Sequence, residues 1–234
     1  SADIRAGNAS WWDRSIGAGI PSSKAGFSPV LWGYLLVPAW YAPGLAAGVR
    51  TLVAAGLTYG LVRSLGAGKH AAVISGVAYA LSGFMIGWAG WPQSNTAAFL
   101  PGVFWAAEAL VRRSSWRSAC GLGLASSAMI VSNFPVVTGY GILVGAGYAL
   151  ARLVQRRKQS GPWPVVVRDR SLRAFLGLGL GAGLASMHIL HFGENLLWAD
   201  TGPRTRIAAD SSIGAKYLVS FLLPEPFGAS HDGQ

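Results

Sequence analysis

Apolar stretches of bilayer length alternate with short clusters of Lys and Arg along this chain, and few folds accommodate both. A bilayer core takes about 20 mainly apolar residues per helix, within a range of about 17 to 25. Candidate spans run over residues 45–62, 71–91, 96–111, 119–132, 136–153 and 174–190. The third and fourth are short and are expected to extend into their flanks. Residues 29–43 are interrupted by Pro38 and read as an interfacial or re-entrant helix, and 217–223 as a short interfacial segment. Only 12% of residues are charged, against about 25% in a soluble globular domain. A bilayer accounts for that deficit, since a charge at its centre costs about 2.5 kcal/mol or more. The expected fold is all-α, a polytopic transmembrane helical bundle of about six spans. Residues 1–43 form an outer loop with an interfacial helix, 44–190 the spans, and 191–234 a further outer loop with an interfacial segment.

The signs of the charges orient this map. The loops at 63–70, 112–118 and 152–173 hold 12 of the 19 basic residues, with Asp169 as their one acid. The opposite side holds Asp3, Asp13, Glu194, Asp200, Asp210, Glu225 and Asp232, seven of the nine acids. Basic residues favour cytoplasmic loops, so residues 1–43 and 191–234 are expected outside, and an even number of crossings agrees. Cysteines introduced at Arg157 and Thr205 should therefore label from opposite sides of the membrane. Labelling from one side would sink the map. A formal charge of +10 also raises nucleic-acid binding, but a DNA-binding face needs its cations on a polar surface. Here they sit between apolar segments, so no nucleic-acid partner is expected. The lone Cys120 excludes an intrachain disulfide and a Cys-based zinc cluster.

The Gly177-Leu-Gly179-Leu-Gly181-Ala-Gly183 run looks like a phosphate loop but lies inside a span with no strand before it. Gly177/Gly181 and Gly179/Gly183 have the small-xxx-small spacing of close helix packing. Glu108 is the one acid inside a span, four residues before Arg112, so an i,i+4 pair at the basic end is expected to neutralise it. His188, His191 and Glu194 recur every third residue and share a helix face at the outer end of the last span. Imidazole and carboxylate suit a divalent ion, so a metal or phosphate-sugar site there competes with a plain polar helix end. The stretch from Trp11 to Pro21 combines aromatics, the Asp13–Arg14 pair and a Gly/Pro turn. Its glycines let backbone approach a ligand; an ordinary loop with a Trp anchor is the plainer reading.

Arg5, Gly7, Trp12, Gly17, Gly19 and Pro21 form a first motif, and further, different motifs follow it along the chain. These are Tyr41-Ala42-Pro43, the Ala78–Met85 stretch, Pro101 to Glu108 with the following Arg pair, Asn133-Phe134-Pro135, and Leu222 to Gly228. Together they resemble the bacterial YfhO-like membrane proteins, within the wider GT-C class of polytopic glycosyltransferases; Asp13 stands where that family usually has Asn. The resemblance implies transfer of a sugar from a polyprenyl-phosphate carrier to a cell-envelope glycan or teichoic-acid-like acceptor, on the outer face of a bacterial cytoplasmic membrane. It also implies a catalytic outer-loop Asp after the first helix. Asp3 lies too close to Trp12 to fill that role, so the chain is expected to be part of a larger protein whose acid lies upstream.

In such a transfer a carboxylate deprotonates the acceptor hydroxyl, while cations or a metal stabilise the departing phosphate. Asp13 and Glu194 are the candidate acids. Arg14, Arg204 and Arg206 are the candidate phosphate partners, since guanidinium matches phosphate oxygens bidentately. His188 and His191 are candidate supports. The competing class is a non-catalytic membrane module: a scaffold, a lipid-carrier-binding subunit or part of a transporter. A transporter should show polar or broken helices near the midplane, and beyond the Gly-rich last span the chain offers few.

Overall fold

A bilayer and a soluble core sort side chains differently, and in the computed structural model the large apolar residues face outward. The structure describes residues 28–32, 36–38, 40–156 and 163–198, and the backbone at 12–13 and 20–21. Leu52 is 74% exposed, Ile74 68% and Leu143 68%. The described interior is made of small side chains: 11 of its 19 buried apolar residues are Ala. Buried Ser28, Ser94, Thr96 and Ser126 lie among them. Lipid gives helices no hydrophobic reason to associate, so small residues that let backbones approach take over. In water the same outer surface would be an aggregation hazard.

The described elements are helical apart from one two-residue ladder. β1 (Trp12–Asp13) pairs antiparallel with β2 (Ile20–Pro21), Trp12 opposite Pro21 and Asp13 opposite Ile20. A 3-10 turn follows at Pro29–Leu31, then α1 (Ala42–Ser64), α2 (Lys69–Ala80), α3 (Gly83–Gly87), α4 (Pro92–Ala97) and α5 (Leu100–Arg112). After these come α6 (Trp116–Val131), α7 (Pro135–Gln155), α8 (Trp163–Leu184) and α9 (Ser186–Trp198). Prolines open α1, α4, α5 and α7, where a missing N–H costs nothing. α6 instead starts on a capping box in which the Ser115 and Ser118 hydroxyls each accept the other's backbone N–H. It ends at Asn133, whose φ of 65° takes the left-handed turn.

Three helical stretches are long and apolar enough to cross a membrane: Ala42–Ser64, Lys69–Gly87 and Pro135–Gln155. They correspond to the first, second and fifth expected spans. A fourth exists if Val165–Leu184 and Ser186–Glu194 count as one, but these are bent by 69° at Ala185. The expected single helix at 174–190 is thus interrupted, and the first of its two helices starts eleven residues earlier, at Trp163. α5 and α6, with 13 and 16 residues, reach about 20 and 24 Å, short of a bilayer core of about 30 Å. α6 extends three residues into its leading flank, to Trp116, before the Ser115 cap and Asn133 bound it, whereas α5 begins only after the Ala98–Phe99 turn. Within the expected interfacial or re-entrant segment at 29–43, Pro29 opens a 3-10 turn that sinks Val30, 0% exposed, into the apolar core, while 33–35 and 39 lie outside the described residues. The expected segment at 217–223 lies outside the described residues.

α5 is the axis of the bundle, packed by α1, α6 and α7. α6 is also the main partner of α8, and the glycine run makes that contact possible. A Cβ at Gly177 would lie 2.5 Å from the Ala119 carbonyl oxygen, and one at Gly181 2.6 Å from that of Gly123. Gly179 and Gly183 face open space. Of the two small-xxx-small pairs in the sequence, Gly177/Gly181 forms the interface. Contacts divide the chain into two units, Ser1–Gly193 and Glu194–Gln234; of the second, only 194–198 is described.

Candidate functional site

Two polar centres interrupt the apolar bundle. The first is built on Glu108, which has no exposed surface. α7 carries Tyr148 and Arg152 and is capped by Arg156, all at four-residue spacing, so the three lie on the face it turns to α5. Arg152 grips the carboxylate as a fork: Nε donates to Oε2 and Nη2 to Oε1, both at 2.8 Å. The Tyr148 hydroxyl donates to Oε2 at 3.0 Å, and its ring meets Phe104 edge-on. Arg112 Nε stands 3.0 Å from Oε1, and Arg156 Nη2 3.7 Å from it. The expected i,i+4 pair is therefore present, inside a larger knot. With its acceptor sites taken, this carboxylate holds helices together and has little left for proton transfer. Three guanidiniums around one carboxylate also leave surplus positive charge at this end.

Further arginines reach the same end. Arg173 of α8 donates to the Ser114 carbonyl, lies 5.7 Å from the Trp116 ring centre and pairs with Asp169 at 3.2 Å. The ends of α5 and α7, the start of α6 and the first half of α8 thus place their basic residues together, as the charge pattern demands.

The second centre is Arg50, 6% exposed, eight residues into α1. Its Nη1 donates to the Ala89 carbonyl and, at 3.0 Å, to Ser94 Oγ. Ser94 in turn donates to the Trp88 and Trp91 carbonyls. The guanidinium so ties the α3–α4 turn to α1. Its Nε is buried without a hydrogen-bond partner, and no acid pairs with it among the described residues. A buried cation lacking a counter-charge is expensive, which marks a place where an anion would be stabilised. Nearby in sequence, Gln93 Oε1 and Thr96 Oγ1 are also buried without partners.

No protein-family model matches this chain, and neither does any curated protein or solved structure.

Of the residues anticipated from sequence, His188, His191 and Glu194 are described with their side chains. His188 Nε2 lies 3.1 Å from Asn133 Oδ1, which ties α9 to the α6–α7 turn. His191 is half-buried and Glu194 exposed. Among the described residues no group of three His, Cys, Asp or Glu side chains is arranged to hold a metal. Asp13 is placed by its backbone in β1, opposite Ile20; Arg14, Arg204 and Arg206 lie outside the described residues. Sequence reasoning missed Arg50, although a cation inside an apolar run is itself a signal. It also missed Tyr148, Arg152 and Arg156 as partners of Glu108.

Proposed function

We propose that this chain crosses the membrane six times as part of a larger, GT-C-like protein that handles a polyprenyl-phosphate-linked sugar at the outer face of a bacterial cytoplasmic membrane. The arginine-rich end then faces the cytoplasm, and 1–43 and 191–234 face outside. The observation that carries this reading is Arg50, a buried guanidinium without a carboxylate partner among the described residues, in the half of α1 that would lie outward. Guanidinium is the side chain that best matches phosphate oxygens. The order of the YfhO-like motifs supports it, since Arg50 follows Tyr41-Ala42-Pro43 and bonds the turn after Ala78–Met85. α4 and α5, one after the other over residues 92–112, would make the third crossing.

A non-catalytic, carrier-binding module is the second reading, favoured by the acids. Among the described side chains, Glu108 is locked by arginines, Asp169 pairs with Arg173, and Glu194 is exposed. Asp13, Glu194, Arg14, Arg204 and Arg206 remain the candidates for sugar transfer on the outer side, with His188 and His191 as supports.

Binding of polyprenyl phosphate and of the matching polyprenol to the complete protein in lipid nanodiscs tests the reading. Arg50→Gln should weaken phosphate binding roughly tenfold to a hundredfold, the worth of a hydrogen bond to a charged group, and leave polyprenol binding unchanged. Arg50→Lys should restore part of it. Equal affinity of the wild type for both ligands would reject the reading. Loss of sugar transfer in Asp13→Ala or Glu194→Ala with binding retained supports the enzyme; binding without any transfer supports the carrier module.

A further inference from the structure

A long groove runs between α1, α5 and α6. It encloses about 800 Å³. It follows α5 from Phe99 to Arg113, about 21 Å along a helix axis. Its walls are apolar, with Leu57, Trp105, Leu124 and Ala128 along them. Its end is not: Ser64, Arg112, Arg113, Ser115, Arg117 and Ser118 close it. No acid lines the groove. Of the three arginines, Arg112 is committed to Glu108, whereas Arg113 and Arg117 are exposed and take no part in its ion pairs.

We propose that this groove binds an anionic phospholipid from the leaflet on the arginine-rich side, with its phosphate between Arg113 and Arg117 and an acyl chain along Trp105 and Leu124. The charge pattern selects this occupant. An apolar trough alone fits any lipid tail, but a trough ending in guanidiniums and serine hydroxyls discriminates by headgroup charge. The N-terminus of α6 opens at the same end and adds its positive dipole end. Leu124 is 60% exposed, so the groove is open along its side and a lipid already in the leaflet reaches it by lateral movement. This site is independent of Arg50, whose hydrogen bonds are made to the α3–α4 turn.

Native mass spectrometry of the full chain in mild detergent, with phosphatidylglycerol or phosphatidylcholine of identical chains added, reads the site directly. The wild type should retain phosphatidylglycerol in preference. Arg113→Gln with Arg117→Gln should lower that preference roughly tenfold or more, each surface cation contributing to anionic-lipid attraction. Lys69→Gln with Arg168→Gln, two cations outside the groove lining, serves as the control. Gly121→Leu should expel both lipids: a Cβ there lies 3.9 Å from its nearest neighbour, Ala106, so the added side chain starts without a clash and fills the groove. Variants are compared only where their melting temperatures match the wild type, and Arg113→Gln and Arg117→Gln singly replace a double that fails this. An equal drop in the control pair would reduce the effect to general surface charge and overturn the proposal. So would unchanged retention in Gly121→Leu, or displacement of phosphatidylglycerol by polyprenyl phosphate.

Discussion

Glu108→Ala should lower the stability of the bundle by about 3 kcal/mol, seen as an early thermal transition in detergent with loss of the monodisperse species. The size follows from what remains. The carboxylate is fully buried and joins α5 to α7 through Arg152 and Tyr148. Removing it takes from Arg112, Arg152 and Arg156 the carboxylate they share. Losing one partner of a buried pair costs about 3 to 5 kcal/mol. The lower end applies because these arginines keep 38%, 25% and 27% of their side chains exposed, and water screens their repulsion. A double variant separates the knot from simple packing. If the carboxylate acts by neutralising the cluster, Glu108→Ala/Arg152→Ala should be less damaged than the two single losses added together. Strict additivity, or a Glu108→Ala protein as stable as the wild type, would show that the ion pairs contribute nothing.

This knot also shows where a sequence stops being legible. The Glu108–Arg112 pair lies one turn apart on one helix, so its spacing alone announces it. Tyr148, Arg152 and Arg156 are forty or more residues away, and only the packing of α7 on α5 brings them in. The gathering of basic residues at one end was legible for a different reason: most basic residues fall in the short links between long apolar runs, so sign and spacing suffice. Helix breaks were less so. Leu81–Ser82 and Ala185 interrupt apolar runs that contain no Pro, and a hydropathy window passes over both. The same averaging hid Arg50 among its apolar neighbours, so the spans looked poorer in polar and broken elements than they are. The outer-side candidates illustrate another limit. Periodicity put His188, His191 and Glu194 on one face, yet it could not reveal that His188 would bond to Asn133, a turn fifty-five residues earlier.

Gly177→Ala and Gly179→Ala, two residues apart in one helix, should change stability in opposite directions. Glycine in a helix interior costs roughly 0.5 to 1 kcal/mol relative to alanine through backbone entropy. At Gly179 a Cβ meets nothing within 4 Å, so alanine should recover that amount. At Gly177 the new Cβ falls 2.5 Å from the Ala119 carbonyl oxygen, with the carbonyl carbon and Cα behind it. Those are backbone atoms of α6, and no rotamer change relieves the contact. α8 must withdraw from α6, at a cost of about 1 to 3 kcal/mol for overpacking that outweighs the entropic gain. Gly123→Ala, whose Cβ would lie 2.6 Å from the Gly177 carbonyl oxygen, should reproduce the loss from the other helix. Combining it with Gly177→Ala should cost less than the sum, because the helices need separate only once. Melting curves of the four proteins decide the matter. If Gly177→Ala is as stable as Gly179→Ala, the α6–α8 contact is not the close one drawn here, and the spacing of the glycine run has some other cause.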